Sequence, residues 1–172
     1  SARLPRIVQP FLQRVAAGTS EVAYVCVLDG EEIVYIARNG LNRNMNTCHV
    51  LGARVQAQVT AAGMVLLAMM DAHRQDKWFA NRKLKAYTSF TNTDVDKLKH
   101  ELAIIRAQGW ASSEQQLELT MRGGAVPLID RNGELVAALN VTMPIAQEPT
   151  AAAVKRVLPV LQETARSLQN LI

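Results

Sequence analysis

The sequence is poor in the residues that carry most recognisable chemistry. It has two cysteines and three histidines in 172 residues, too few for a disulfide scaffold and too scattered for the closely spaced Cys/His ligands of a structural zinc site. Cys26 and Cys48 both fall in apolar strand candidates, where a reduced, buried thiol is the default. Nothing demands an oxidising compartment, no signal-peptide pattern is present, and the expected location is the cytoplasm. No run of 18 or more apolar residues occurs, so the pattern predicts no membrane-spanning helix. A strong charge of one sign is also missing. The formal charge is +4, and the Lys and Arg residues are scattered. Binding to a nucleic-acid backbone needs clustered cations to displace condensed counterions, so this segment does not read as a DNA-contacting one. The densest patch, Lys77, Arg82, Lys83 and Lys85, reads as a solvated face.

Catalytic signatures are equally sparse. Cys48-His49 is the one adjacent thiol and imidazole, but neighbours on a strand point to opposite faces and cannot form a nucleophile–base pair directly. His73 and His100 lie on charged helical segments without metal-ligand spacing, and Gly123-Gly124 lacks the lysine and following helix of a phosphate loop. The expectation is therefore no enzyme, no catalytic residue, no metal and no cofactor.

What is present is an ordinary globular composition, 49% hydrophobic and 20% charged. A chain of this length fits one domain and can bury about 70% of its unfolded surface. Leu4, Ile7, Val8, Phe11, Leu12 and Val15 recur at helical spacing, with Pro5 in the first turn, Pro10 expected to kink or split the helix, and Gly18 closing it. Val22 to Leu28 and Ile33 to Ala37 form a hairpin around Asp29-Gly30, and a third strand is expected near Met45 to Leu51. Thr60 can cap a buried helix beginning Ala61-Ala62-Gly63. Small residues there either leave first-turn N–H groups open to an anion or simply allow close packing. Helical character continues to Arg82; Thr93 and Asp94 can cap a helix carrying Val95, Leu98, Leu102 and Ile105, with Gly109 as its stop.

The segment from Gly109 to Thr142 holds the most information. Strands Gly124 to Asp130 and Glu134 to Thr142 are joined by Asp130-Arg-Asn-Gly133, a strong hairpin signal because Asn and Gly tolerate positive φ. Asn140 and Thr142, two apart, share one face of the second strand while Leu139 and Val141 share the other. That polar face either lines a pocket or faces solvent. A final helix from Pro149 carries Val154, Val157, Leu158, Leu161, Ala165, Leu168 and Leu171, with Pro159 expected to kink it. This order predicts an α+β domain, an antiparallel sheet with helices laid on it.

The succession Leu102, Ile105-Arg106, Gly109-Trp110, Ser112-Ser113-Glu114, Glu118, Arg122, Ala125-Val-Pro127, Asp130, Gly133 and Ala137-Ala-Leu-Asn-Val141 resembles the effector-binding domain of the IclR family of bacterial transcriptional regulators. The likeness extends to Leu28 to Arg38, Gly52 with Arg54, and Thr60 to Ala68, so that it covers roughly residues 5 to 170. It implies a GAF/PAS-like domain with a curved antiparallel sheet flanked by helices, spanning 1–172 as a single effector-binding domain without the family's N-terminal winged helix. It also implies a pocket touched by Val55, Ala61, Ala62, Ser113, Met121, Gly123, Asn140 and Thr142. Arg122 either adds charge to that pocket or pairs with Glu118. The segment from Arg43 to Arg54 most resembles the branch controlling aromatic-acid catabolism by the β-ketoadipate route.

The function so implied is a ligand-sensing domain for a small carboxylate, an aromatic acid or a ring-cleavage product, acting on DNA only through the absent N-terminal domain. A sensor of a small keto acid and an oligomerisation module without a ligand are the alternatives. Homodimers or homotetramers are expected as partners, and no membrane. Thr120 stands where the family usually has glycine, and Gly123-Gly124 where it has a small polar and an apolar residue, so that Gly123 leaves room for a larger ligand.

Overall fold

The computed structural model describes residues 3–40 and 50–172. Cys48, His49 and Arg43 to Met45 lie outside that range, as does most of the third strand expected near Met45 to Leu51. The strand that follows is β3, Arg54–Gln56.

Helix α1 runs Arg3–Thr19, followed by β1, Val22–Asp29, and β2, Glu32–Asn39. After β3 come a 3₁₀ turn, Ala57–Val59, and helices α2, Ala61–Ala68, α3, Ala72–Phe79, and α4, Val95–Gln108. A four-residue strand β4, Ala111–Glu114, precedes β5, Met121–Ile129, and β6, Leu135–Pro144; α5, Thr150–Gln169, closes the chain. The hairpin strands thus start or end a few residues beyond the sequence-based bounds, and β4 is an addition to them. Its Ala-Ser-Ser-Glu sequence has neither the β-branched residues nor the alternation that marks a strand.

The six strands form one antiparallel sheet in the order β3-β2-β1-β6-β5-β4. Register shifts between Val25 and Cys26 and between Leu128 and Ile129 mark irregularities that add curl. Both faces are covered. Val22, Tyr24 and Cys26 of β1 join a core with α2, Trp78 and Phe79 of α3, and Leu98, Leu102 and Ile105 of α4. Ala23 and Val25 point the other way, into a core built with Val8, Leu12 and Val15 of α1 and Val157, Leu161 and Leu168 of α5. This is the curved-sheet α+β arrangement that the resemblance implied.

Several local signals act as read. Asp94 accepts from the N–H groups of Asp96 and Lys97 at the start of α4, and Gly109 ends that helix with φ +83°. The β5–β6 turn differs in detail: Asn132 does not take positive φ, and Gly133 alone does, at +81°. The Asp130 carboxylate organises the turn by accepting from the N–H groups of Asn132 and Glu134 at 2.8 and 2.9 Å. Pro10 and Pro159 each sit inside one continuous helix rather than dividing it. Both lie on the exposed side, as do Arg6 and Lys155 four residues earlier, so water can reach the carbonyls that lose their intrahelical donors. Pro127 is tolerated in β5 because β4 pairs only with residues 122–125. Beyond Ala125 no strand among the described residues asks β5 for that N–H.

Candidate functional site

Pleating sorts the sheet residues into two populations. A Cβ on Gly123 would lie 3.6 Å from Ala61 of α2, whereas one on Gly124 would lie 3.6 Å from Val157 of α5. Odd-numbered residues of β5 therefore face α2 and even-numbered ones face α5. The same parity carries across the ladder, where Gly123 pairs with Ser113 of β4 and Thr142 of β6.

On the α2 side the sheet and helix border a narrow cleft whose water-accessible volume is about 40 Å³. Ala61, Ser113, Met121, Gly123, Asn140 and Thr142 all line it. Asn140 and Thr142 are only 5% and 6% exposed, so the polar face of β6 lies in the interior rather than in solvent. The Asn140 amide donates to the Thr142 hydroxyl at 3.1 Å, which fixes that amide's rotamer and leaves its carbonyl oxygen toward Gly123. Ser113 donates to the Val59 carbonyl over a long 3.4 Å. Two of the residues carried over from the resemblance do not line this cleft. Val55 belongs to the short strand β3, two strands further from Asn140 than β1, and packs into the core; Ala62 is almost fully buried behind Ala61.

The α2 N-terminus is shaped by two contacts. Thr60 caps it, accepting from the Gly63 N–H at 2.9 Å. Gly63 lies so close to the preceding 3₁₀ turn that a Cβ would meet the Ala57 carbonyl oxygen at 1.9 Å. Gly63 thus serves close packing, while Ala61 serves the cleft. With the Gly63 N–H bonded to the cap, Ala61 is the first-turn residue of α2 that lines the cleft.

A second set of lining residues comes from outside the eight expected positions. Tyr35 of β2, Val59 and Thr60 ahead of α2, Arg122 of β5 and the connection from β4 to β5, residues 115–118, complete the wall. Gln115 takes the left-handed conformation, φ +58°, and bends the chain over the cleft. The loop is held from outside: Thr88 donates to the Gln115 carbonyl and Thr91 to the Gln116 carbonyl, each at 2.6 Å. Burial raises the Tyr35 phenol above its ordinary pKa, and Cys26, Tyr24 and Glu118 add in the same sense. The sequence signal for this wall was the density of hydrogen-bonding side chains between Ser112 and Arg122, which marks a polar segment but not its fold.

Arg122 resolves into the structural alternative with a different partner. Its even position turns the guanidinium to the α5 side, where it pairs with Glu114 at 3.0 Å and donates to the Glu148 carbonyl at 2.8 Å. Glu118, the expected partner, is not on a helix with Arg122, because residues 115–120 form a turn. Glu114 also accepts from Thr150 at 2.6 Å, tying β4 and β5 to the start of α5. Next to this group Arg156 bridges Glu148, Glu21 and the Thr19 carbonyl. Cys26 is fully buried in the core and its thiol is pushed up by that burial, which makes it inert as a nucleophile. Among the described residues no group of His, Cys, Asp and Glu is placed to hold a metal ion, and no helix is long and apolar enough to cross a membrane.

Residues 1–170 match the family model described as the bacterial transcriptional regulator IclR C-terminal domain. The chain is 36% identical over 175 residues to the Pca operon regulatory protein of Acinetobacter baylyi, covering 99% of this chain and 63% of that protein. It is 34% identical over 178 residues to the p-hydroxybenzoate hydroxylase transcriptional activator of the same species, covering 100% and 65%. The chain therefore spans less than two thirds of the length of these relatives. Among solved structures, a double mutant of the PobR transcription factor inducer-binding domain from Acinetobacter, in complex with 3-hydroxybenzoic acid, aligns with a TM-score of 0.89. It is 32% identical, and 98% of each chain is covered.

Proposed function

The chain belongs to the IclR family of bacterial transcriptional regulators, as its C-terminal domain, and from that premise we propose that it is the part that senses a small aromatic carboxylate. The observation that carries the reading is the interior position of Asn140 and Thr142 in a cleft closed on one side by the α2 N-terminus. A buried polar face needs partners, and a carboxylate supplies acceptors for the N–H groups of Ala61 and Ala62, with Ser113, Asn140 and Thr142 orienting it. Met121 provides apolar wall, Gly123 leaves space for the body of the ligand, and Val55 supports the site from the core. Relatives that carry aromatic-catabolism names, and the hydroxybenzoate in the PobR complex, support the same ligand class.

In the longer protein, DNA contact falls to a part outside these residues, in keeping with the scattered cations of this one. Ligand binding alters the balance between two arrangements of a homodimer or homotetramer, and does so only through different affinities for the two. The reading includes no reaction and no cofactor.

Thermal unfolding of the chain against aromatic acids, dicarboxylates and small keto acids tests the proposal. A ligand at about 100 times its dissociation constant should add roughly 2.7 kcal/mol to the folded state. Asn140→Ala should weaken binding of that ligand by about 1–3 kcal/mol through the lost buried hydrogen bond. Absence of stabilisation by every acid would overturn the proposal.

A further inference from the structure

On the face of the sheet turned away from the cleft, a compact set of polar contacts joins the cleft wall to α5. Strand β4 has four residues, pairs only with β5, and its Ala-Ser-Ser-Glu sequence has little preference for a strand. Pairing over so short a run is marginal by itself. The cleft-facing residue of β4, Ser113, donates to the Val59 carbonyl at 3.4 Å, too long a bond to anchor the strand.

The next residue, Glu114, is held far more firmly. Its Oε1 accepts from the Thr150 hydroxyl at 2.6 Å and from the Arg122 guanidinium at 3.0 Å, both charge-assisted contacts of the stronger kind. Arg122 is 7% exposed, and its other terminal nitrogen donates to the Glu148 carbonyl at 2.8 Å. This seat leaves the Arg122 Nε buried and without a partner among the described residues, so the side chain gives up one donor to hold these two contacts. Glu114 and Arg122 stand opposite each other in the ladder, one place along from the Ser113–Gly123 pair that faces the cleft. Further down α5, Arg156 binds both carboxylate oxygens of Glu148 and donates to the Thr19 carbonyl at the end of α1.

We propose that Arg122, Glu114 and Thr150 are positioning residues for the cleft: clamping β4 from its far face, they set Ser113 beside Gly123 and Thr142, and they make occupancy of the cleft and the seating of the first turn of α5 depend on one another. The inference rests on the carboxylate-sensing reading of the same cleft. Pairing with β5 makes residues 111–114 a strand, and the clamp fixes where that strand stands. A ligand that bonds to Ser113 binds more tightly when β4 is already fixed, because less ordering is left to be done on binding. By linkage the bound ligand strengthens the clamp to the same degree.

The test compares the intact chain with Thr150→Val, which removes the hydroxyl at nearly constant shape, and with Thr150→Ser, which keeps it. One readout is amide hydrogen exchange at Gln115, whose N–H donates to the Met121 carbonyl just past β4, with the Gly109 amide at the end of α4 as a reference away from the clamp. The other is the dissociation constant of 4-hydroxybenzoate and of 3-hydroxybenzoate, by calorimetry. Unliganded melting temperatures show whether each variant is folded. Thr150→Val should speed exchange at Gln115 by about tenfold, leave Gly109 unchanged, and weaken the tighter-binding acid by about three- to tenfold. Thr150→Ser should return both readouts to the parent values. Unchanged exchange at Gln115, an equal rise at Gly109, or a loss that serine does not recover would overturn the clamp. Faster exchange with unchanged affinity would overturn its positioning role and leave carboxylate sensing standing. If no acid of the panel binds the parent chain, carboxylate sensing falls, and the exchange readout alone decides whether β4 is clamped.

Discussion

Two glycines illustrate how little a residue type says without its surroundings. Gly123 and Gly63 both look like invitations to a ligand, yet only the first lines the cleft. At Gly63 the space for a side chain is taken by the backbone of the preceding turn, with the Ala57 carbonyl oxygen 1.9 Å from where a Cβ would stand. A backbone atom cannot swing aside as a side-chain tip can, so Gly63→Ala should destabilise the fold by about 3 kcal/mol. Chemical denaturation reads this directly, and a loss below the error of that measurement would mean that the turn relaxes freely. Residue identity was also a weak guide to Arg122, whose partner depended on the parity of β5 and not on spacing along a helix.

Elements were more legible than their contacts. Helices α1 and α5 declared themselves by period, α4 by period and caps, and both hairpins by their turns, because these signals are local and act within a few residues. Thr60 is the clearest case: its hydroxyl accepts the Gly63 N–H and fixes the first turn of α2. Thr60→Ala should therefore cost about 1 kcal/mol of stability and should weaken carboxylate binding as well, since the same turn presents the N–H groups of Ala61 and Ala62. Parallel melts with and without ligand separate the two effects; equal losses in both would detach the cap from the site. Short β4 and the loop over the cleft were not legible. Ala111 to Glu114 becomes a strand only because β5 offers it a partner, and residues 115–118 become a wall only because Thr88 and Thr91 hold them there. The expected pocket residues on β4, β5 and β6 converge because pairing sets Ser113, Gly123 and Thr142 side by side. Tyr35 and the 115–118 loop escaped because their convergence on the cleft depends on that long-range closure.

At the scale of the whole molecule, the junction where α1, β1, β6 and α5 meet gathers a cluster of charge, Glu21, Glu148 and Arg156. Glu21 is nearly buried there, and desolvation raises its pKa despite the opposing effect of Arg156. A carboxyl with a raised folded-state value favours the fold when protonated: its contribution is complete below the ordinary value of 4.5 and is lost as pH rises through the raised one. Glu21→Gln does not titrate, so its stability relative to the parent chain should increase as pH rises above 4.5. Melting temperatures from pH 4 upward, about half a unit apart, would show a rising difference; a flat difference would mean that Glu21 has no raised pKa.

Pro127 has a consequence at this same scale. An unpaired strand rim is a template on which another extended chain can grow, and repeated growth of that kind ends in fibres. Where β4 stops, the rim of β5 is interrupted by a residue that cannot donate the hydrogen bond such growth requires. The proline that the sheet tolerates therefore also guards the protein against recruiting copies of itself into an aggregate.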